Sequence, residues 1–370
     1  MTLRAVVVRP GRASYGEVRR TESWVRLFRA AGGEADDIGF LDGGIRPCLR
    51  HAEQLATGTL VPEAVVWNGA TMRERLLEID PDIVILQTAR SYRPEIVDGP
   101  WTTVLDLVDR LSASYSQRAS ISSGPKALAF RFLAATHRRF EVQAAAHVDH
   151  VVAAGRRDAQ LLDAVWVPNL IDRSARPIRT EAKPFDVVFF GSLGYQPNVE
   201  ALRWLAEADT EAAGLRVLIA GHGPTADVRA LCVDNNWTLV EDYPNNDWLA
   251  EQAKVALAPL RSTAGIQNKV LEAASMGLAQ VVAPAALAGL NDGFPSVVAD
   301  TPDALVQAVR QLAQDDDARR RLADDAWRFA HAHYTTDAWV PTLWQLVEGD
   351  RPGPRWVTPD PARVPLGIGS

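Results

Sequence analysis

Cysteine is nearly missing from this chain of 370 residues: only Cys48 and Cys232 carry thiols, far apart and without Cys-x-x-Cys spacing. A disulfide framework and a zinc cluster are both excluded as organising devices, and two buried free thiols are expected. Lysine is scarce as well, limited to Lys126, Lys183, Lys254 and Lys269, so arginine supplies most of the 39 basic residues. Against 46 acidic residues the formal net charge is −7. An acidic chain without a basic stripe interleaved with aromatics does not read as a nucleic-acid binder. Long apolar runs are absent too: stretches such as Val6-Val7-Val8 are strand-sized, far short of the ~20 residues that cross a bilayer. The chain enters Leu3-Arg4-Ala5-Val6 without the apolar core and cleavage site of a secretory signal, so the expected location is the cytoplasm.

What is present is a repeated alternation. At roughly 150 residues per domain, the length suits two domains, each with its own core. Short β-branched or apolar runs at Ala5 to Val8, Ala64 to Trp67, Asp82 to Leu86, Thr103 to Leu107 and His150 to Ala153 alternate with stretches of helical periodicity. These include Trp24 to Phe28 and Leu128 to Ala146. Periodicity lapses over residues 169–183, read as an interdomain linker, and then resumes. Strands are predicted at Val187 to Phe190, Val217 to Ala220, Thr238 to Val240, Val255 to Ala258, Gln280 to Ala283 and Val297 to Val298, with helices between them. Two closing helices follow, at Asp317 to Ala332 and Ala338 to Val347. Strands alternating with helices imply an α/β protein with a doubly wound parallel sheet in each half. The predicted organisation is a domain over 1–168, the linker, a second domain over 184–349 whose closing helices could pack back on the first, and a proline-bearing tail over 350–370.

Three stretches could carry chemistry. In Phe190-Gly191-Ser192-Leu193-Gly194-Tyr195-Gln196-Pro197-Asn198 a buried strand enters a two-glycine turn, with Asn198 suited to cap the next helix. Such a turn gathers backbone N–H groups and a helix N-terminus where a diphosphate could bind. Gly221-His222-Gly223-Pro224-Thr225-Ala226 matches the Gly-x-Gly-x-x-Gly/Ala fingerprint of dinucleotide-binding folds, and Asp242 stands where the ribose-binding acid would fall. Against a nicotinamide or flavin reading, this match lies on the second strand of its domain, whereas the fingerprint belongs to the first βα unit. The third stretch runs from Arg261 through Gly265, Ile266 and Asn268 into a helix carrying Lys269 and Glu272. Loop amides and Lys269 could hold phosphate oxygens there, and Glu272 could accept ribose hydroxyl protons, because a carboxylate is acceptor-only with two oxygens.

Together these residues resemble the donor-binding half of GT-B fold glycosyltransferases, particularly the large retaining family 4, or group 1, of bacterial sugar transferases. The likeness rests on Phe190-Gly191 with Tyr195 and Pro197-Asn198, on Ile219-Ala220-Gly221 with Gly223-Pro224, on Ala258-Pro259-Leu260, and on Gly265-Ile266-Gln267-Asn268-Lys269-Val270-Leu271-Glu272-Ala273. Upstream, Val167-Pro168-Asn169-Leu170-Ile171-Asp172 looks like the family's linker motif, with Leu170 in the usual glycine position. The resemblance implies two Rossmann-like domains facing a cleft. Gly191, Ser192, Gly221, His222, Gly223, Arg261, Gly265, Ile266, Asn268, Lys269 and Glu272 would then bind a nucleoside diphosphate sugar such as a UDP or dTDP sugar.

The sequence also departs from the family pattern. Of the two glutamates, seven residues apart, that many members carry, the second is Glu272 but the first falls on Ala264. Val108 replaces the usual histidine of the N-terminal domain, and the Arg and Lys that commonly follow the first glycine turn are missing between Ser192 and Asn198. Phosphate charge would be met by Lys269, Arg261, backbone amides, or the loop after the first strand with Arg9, Gly11, Arg12 and Gly16. Asp109 and Asp106 become the candidate catalytic carboxylates, Asp109 preferred because it lies at the strand's C-terminal edge. Strand alternation would put the two on opposite faces.

No metal ligand set stands out. Asp315-Asp316-Asp317 reads as a helix cap, and His147, His150, His331 and His333 are isolated. The expected activity is therefore sugar transfer from a nucleoside diphosphate sugar to a small hydroxylic acceptor, without metal or other cofactor, by a monomer or homodimer lacking transmembrane segments and nucleic-acid partners. A nucleotide-sugar epimerase or pseudo-glycosyltransferase on the same scaffold, and a non-catalytic nucleotide-binding protein, are the alternatives.

Overall fold

The computed structural model describes residues 2–11, 15–40, 61, 68–108, 110–120, 122–171, 183–261 and 265–348. The strand expected at 64–67, the linker over 172–182 and the tail lie outside these residues, as do Arg12, Cys48, Asp109 and Ala264. The chain divides into two compact units, Met1–Asn169 together with the stretch from Thr336, and Leu170–Thr335.

The first unit runs β1 (Arg4–Pro10), α1 (Tyr15–Ala30), β2 (Glu34–Phe40), α2 (Gly69–Ile79), β3 (Ile83–Gln87), α3 (Pro94–Val97), β4 (Thr102–Leu107), α4 (Leu111–Ser120), α5 (Gly124–His147), β5 (His150–Ala153), α6 (Arg156–Leu162) and β6 (Val165–Trp166). Its six strands are parallel, in the order β2-β1-β3-β4-β5-β6. A parallel sheet is covered on both faces, so its central strands are apolar throughout, and Val6, Val7, Val8, Ile83 to Leu86, Val104 and Leu105 have no exposed surface. Met72, Leu76, Ile96, Trp101 and Phe140 pack over one face. Burying each such side chain contributes about 1.5–3 kcal/mol.

The second unit restarts with β7 (Phe185–Ser192), α7 (Gln196–Leu205), β8 (Val217–His222), α8 (Ala226–Asp234), β9 (Thr238–Glu241), α9 (Asn246–Gln252), β10 (Ala253–Ala258), α10 (Asn268–Ser275), β11 (Ala279–Val282), β12 (Val297–Val298), α11 (Pro302–Gln314) and α12 (Asp316–His333). Its parallel order is β12-β11-β10-β7-β8-β9. The closing helix α13 (Thr336–Glu348) packs against α1 of the first unit, where Trp339 meets Trp166 edge-on with ring centroids 5.0 Å apart.

All six strands expected in the second half are present. Local chemistry sets the helix starts: Thr225, Asn245, Thr301 and Asp315 each accept a first-turn backbone N–H. Asp315 thus caps α12, as its sequence suggested. Asn198 does not cap α7: that helix begins two residues earlier, and the Asn198 side chain is used elsewhere. Cys232 is a buried free thiol, pushed up to about 11 by desolvation.

Candidate donor site and a buried polar network

In the second unit the chain builds β7 to β9 in one direction and β10 to β12 in the other, so the order reverses between β7 and β10. Doubly wound sheets bind ligands outside the C-terminal ends of the strands at such a reversal. The residues at this point are Gly191 and Ser192 at the end of β7, and Arg261, Gly265, Ile266, Asn268 and Lys269 after β10. Helices α7 and α10 start there, and a helix N-terminus is a common place for a fold to hold an anion.

Lys269 is the centre of this group. Its Nζ donates to Asn198 Oδ1 at 2.7 Å and stands 4.0 Å from the centroid of the Phe189 ring. Asn198 Nδ2 in turn donates to the Ser192 carbonyl oxygen at 2.7 Å, which ties the lysine to the turn after β7. Burial pushes the ammonium down from 10.5 to about 7, against the opposing pull of Glu272 one helical turn later. Gly191 has φ +134, and a Cβ there would sit 3.4 Å from Asn198 Nδ2 and 3.7 Å from Lys269 Nζ. A side chain at this position would fill the space in front of the ammonium. Asn198 and Phe189 are thus site residues that sequence reasoning left out; Asn198 sits in a Pro-Asn dipeptide whose cap role was a competing explanation.

The other glycine turn serves a different purpose. A Cβ on Gly221 would overlap the Gly191 carbonyl oxygen, and one on Gly194 would fall 2.8 Å from the Gly223 carbonyl oxygen. The β7–β8 ladder continues through Gly191 opposite Gly221 and Ser192 opposite His222, and Leu193 N–H donates to the His222 carbonyl at 2.9 Å. Gly221 and Gly194 therefore let the ends of β7 and β8 lie in backbone contact, while Gly223 has φ +60 and open space beside it. Gly221 lies at the end of β8, one strand away from the reversal, so the Gly-x-Gly pattern does not occupy the position of a dinucleotide turn.

Gly265 has φ +64 and is held by Gly289, where a Cβ would overlap the Gly265 carbonyl oxygen. Ile266 is buried, and Asn268 opens α10. Arg261 lies over the Trp204 ring, 5.6 Å from its centroid.

Among the residues assigned to the first unit's site, Asp106 and Arg9 are committed to partners within that unit. Asp106 is fully buried: Oδ2 accepts from Arg20 Nε at 2.7 Å and Trp24 Nε1 at 2.6 Å, and Oδ1 from Arg20 Nη2 at 2.9 Å. Arg20 continues to the Val167 carbonyl at 2.5 Å and Asn169 Oδ1 at 3.3 Å. A carboxylate enclosed by a guanidinium and an indole has no route to a substrate proton, so Asp106 is a structural ion and not a catalytic base. Asp109 lies outside the described residues. Arg9 is likewise committed, with Nε and Nη2 each 2.7 Å from Asp37 on β2. Gly11 lies against Gly39 on that strand, and Gly16 is inside α1 with open space beside it. Where this sheet's order reverses, between β1 and β3, Thr88 has φ +66 and ψ 153, a conformation that costs a β-branched residue on the order of 1–3 kcal/mol. Its N–H bonds the Asp106 carbonyl at 2.8 Å, and Arg90 beside it pairs with the buried Glu17.

Among the described residues no three His, Cys, Asp or Glu side chains group as metal ligands, and no helix is long and apolar enough to cross a membrane.

Comparison with known proteins places this geometry. Residues 184–315 match the family model described as glycosyl transferases group 1. No curated protein matches the chain by sequence. Among solved structures, sucrose-phosphate synthase from Thermosynechococcus elongatus superposes with TM-score 0.67 at 12% identity, over 94% of this chain and 98% of that one. Anabaena Alr3699/HepE, in a complex with UDP-glucose, gives TM-score 0.68 at 13% identity over 94% and 99%. TarM gives 0.60 at 12% identity over 76% of this chain, which spans only 58% of TarM. The chain is an α/β protein of the GT-B fold class whose second unit carries the signature of the group 1 glycosyl transferases.

Proposed function

We propose that the protein transfers a sugar from a nucleoside diphosphate sugar to a hydroxyl group of a small acceptor, with the second unit binding the donor. The observation that carries this reading is Lys269: a desolvated ammonium at the sheet's reversal point, facing a glycine and flanked by two helix N-termini. A lysine with a lowered pKa at a sheet reversal is a functional-site candidate, and a bound diphosphate would favour its charged form. Glu272, one turn along α10, is the residue we assign to accept from ribose hydroxyls. The complexes of Alr3699/HepE with UDP and with UDP-glucose, on the same fold, favour a uridine donor.

In the reaction the bond between the anomeric carbon and the diphosphate oxygen breaks, a bond to the acceptor oxygen forms, and the acceptor proton leaves to a base. Negative charge grows on the departing diphosphate. Lys269 and the loop amides stabilise that charge more than they stabilise the bound donor, which lowers the barrier. These groups would meet the phosphate charge without a metal ion.

The test is UDP release from UDP-glucose across a panel of hydroxylic acceptors, with and without magnesium, alongside Glu272→Ala. Acceptor-dependent release that magnesium does not alter, with donor affinity weakened at least tenfold in the variant, is the expected result. Conversion of donor without acceptor would identify an epimerase, and binding without release under any acceptor would leave a nucleotide-binding protein.

A further inference from the structure

The long helix α5 and its neighbour α4 form a hairpin whose inner side is fully occupied. Tyr115 of α4 stacks on Phe130 with centroids 6.2 Å apart and meets His137 at 4.9 Å. At the other end Ser112 donates its N–H and hydroxyl to Glu141, at 3.0 and 2.5 Å. These contacts set which face of α5 looks outward.

That outward face is unusual in two respects. Leu128 and Phe132, one helical turn apart, are 64% and 59% exposed, and no other helix among the described residues exposes two large apolar side chains. Two adjacent bulky apolar groups left in water are a cost that a binding surface explains. The second respect is charge. From Arg110 to Phe140 there is no aspartate or glutamate, although the chain as a whole carries −7. Arg131, Arg138 and Arg139 are exposed and form no ion pair among the described residues, while Arg118 and Lys126 lie over the Tyr115 and Phe130 rings. Glu141, the first acid to follow, is buried against Ser112 and raised above the usual carboxylate range by desolvation, so it adds no negative charge to the surface.

We propose that the outer face of α5, led by Leu128 and Phe132 and flanked by Arg131, Arg138 and Arg139, docks the protein on an anionic lipid surface. A helix lying in a bilayer interface needs this pair of features: apolar side chains that enter the acyl boundary, and cations that reach the headgroup phosphates on long stems. Its 24 residues are too polar to span and long enough, at about 36 Å, to lie flat. Arginines alone would serve a nucleic acid equally well, but Leu128 and Phe132 have no role against a phosphate backbone. The surface lies in the first unit, apart from Lys269, and the proposal does not depend on the donor assignment.

Co-sedimentation with vesicles tests it on the full chain. The wild type should pellet with vesicles of phosphatidylcholine and phosphatidylglycerol and stay in solution with phosphatidylcholine alone. Replacing Arg131, Arg138 and Arg139 together by glutamine should weaken partitioning on the order of 100-fold. Leu128→Ser with Phe132→Ser should weaken it at least tenfold at unchanged charge. Both variants replace exposed side chains, so their melting temperatures and any stabilisation by UDP-glucose should match the wild type. The proposal is overturned if the wild type stays in solution with the anionic vesicles, if the serine pair binds them as well as the wild type, or if RNA is retained in their place.

Discussion

Replacing Lys269 by methionine should make the protein more stable and abolish its binding of a nucleotide sugar. A pKa lowered from 10.5 to about 7 means the folded protein disfavours the ammonium; at about 1.4 kcal/mol per unit, this amounts to about 5 kcal/mol. Methionine keeps an unbranched apolar stem on Phe189 and carries no charge. Because the lysine stem is only half-buried and solvent relieves part of the cost, the expected gain near pH 6 is about 2–4 kcal/mol. That is a rise in melting temperature of roughly 5–15 °C for a unit of this size. The pH dependence has a definite sign. With its folded pKa below its unfolded value, Lys269 binds fewer protons folded than unfolded between about pH 7 and 10, so wild-type stability rises across that window. The methionine variant should lack this rise. UDP-glucose at about 100 times its dissociation constant should add roughly 2.7 kcal/mol to the wild type; the variant should gain nothing. Thermal melts over pH, with and without UDP-glucose, read all three effects. A variant that melts below the wild type, or that keeps the ligand shift, would refute the reasoning.

Three further outcomes are expected. Arg20→Met and Asp106→Asn each strand one member of a fully buried pair and should cost about 3–5 kcal/mol in urea unfolding; a folded Asp106→Asn enzyme that has lost only its turnover would return Asp106 to catalysis. Gly221→Ala forces a methyl into the Gly191 carbonyl and should destabilise the second unit by several kcal/mol, read as lost hydrogen-exchange protection in β7 and β8; unchanged protection would contradict the close approach. Asp186 is subject to burial that raises its pKa, but the hydrogen bonds and charges of Arg216 and Lys254 outweigh this and hold it at about 2. Its contribution of about 2 kcal/mol is present above pH 4 and lost as pH falls through 2, so Asp186→Asn should flatten the acid limb of the stability curve.

The alternation of strands and helices was readable from local pattern because a doubly covered parallel strand must be apolar nearly throughout, as Val6 to Val8 and Val217 to Ala220 are. β2 was not: Glu34 to Phe40 contains Glu34, Asp36 and Asp37, and only its pairing with β1 explains why Ala35, Ile38 and Phe40 face inward on an edge strand. The same limit applied to the sites. Gly191, Lys269 and Glu272 stand on short segments whose turn and helix chemistry can be read locally, so they could be picked out as candidates. The meaning of Gly221 was not legible, because a glycine needed for phosphate approach and one needed for backbone approach look the same until the neighbouring strand is known.

Residue type and spacing by themselves determined the two α/β units and the set of residues that could hold a diphosphate. Only the tertiary structure decided which charges are available for chemistry. Arg20 lies 86 residues from Asp106 and 149 from Asn169, and Arg9 lies 28 from Asp37. A carboxylate or guanidinium is catalytic or structural according to the partner that desolvates it, and that partner is brought in by sheet order, across distances over which sequence pattern carries no signal.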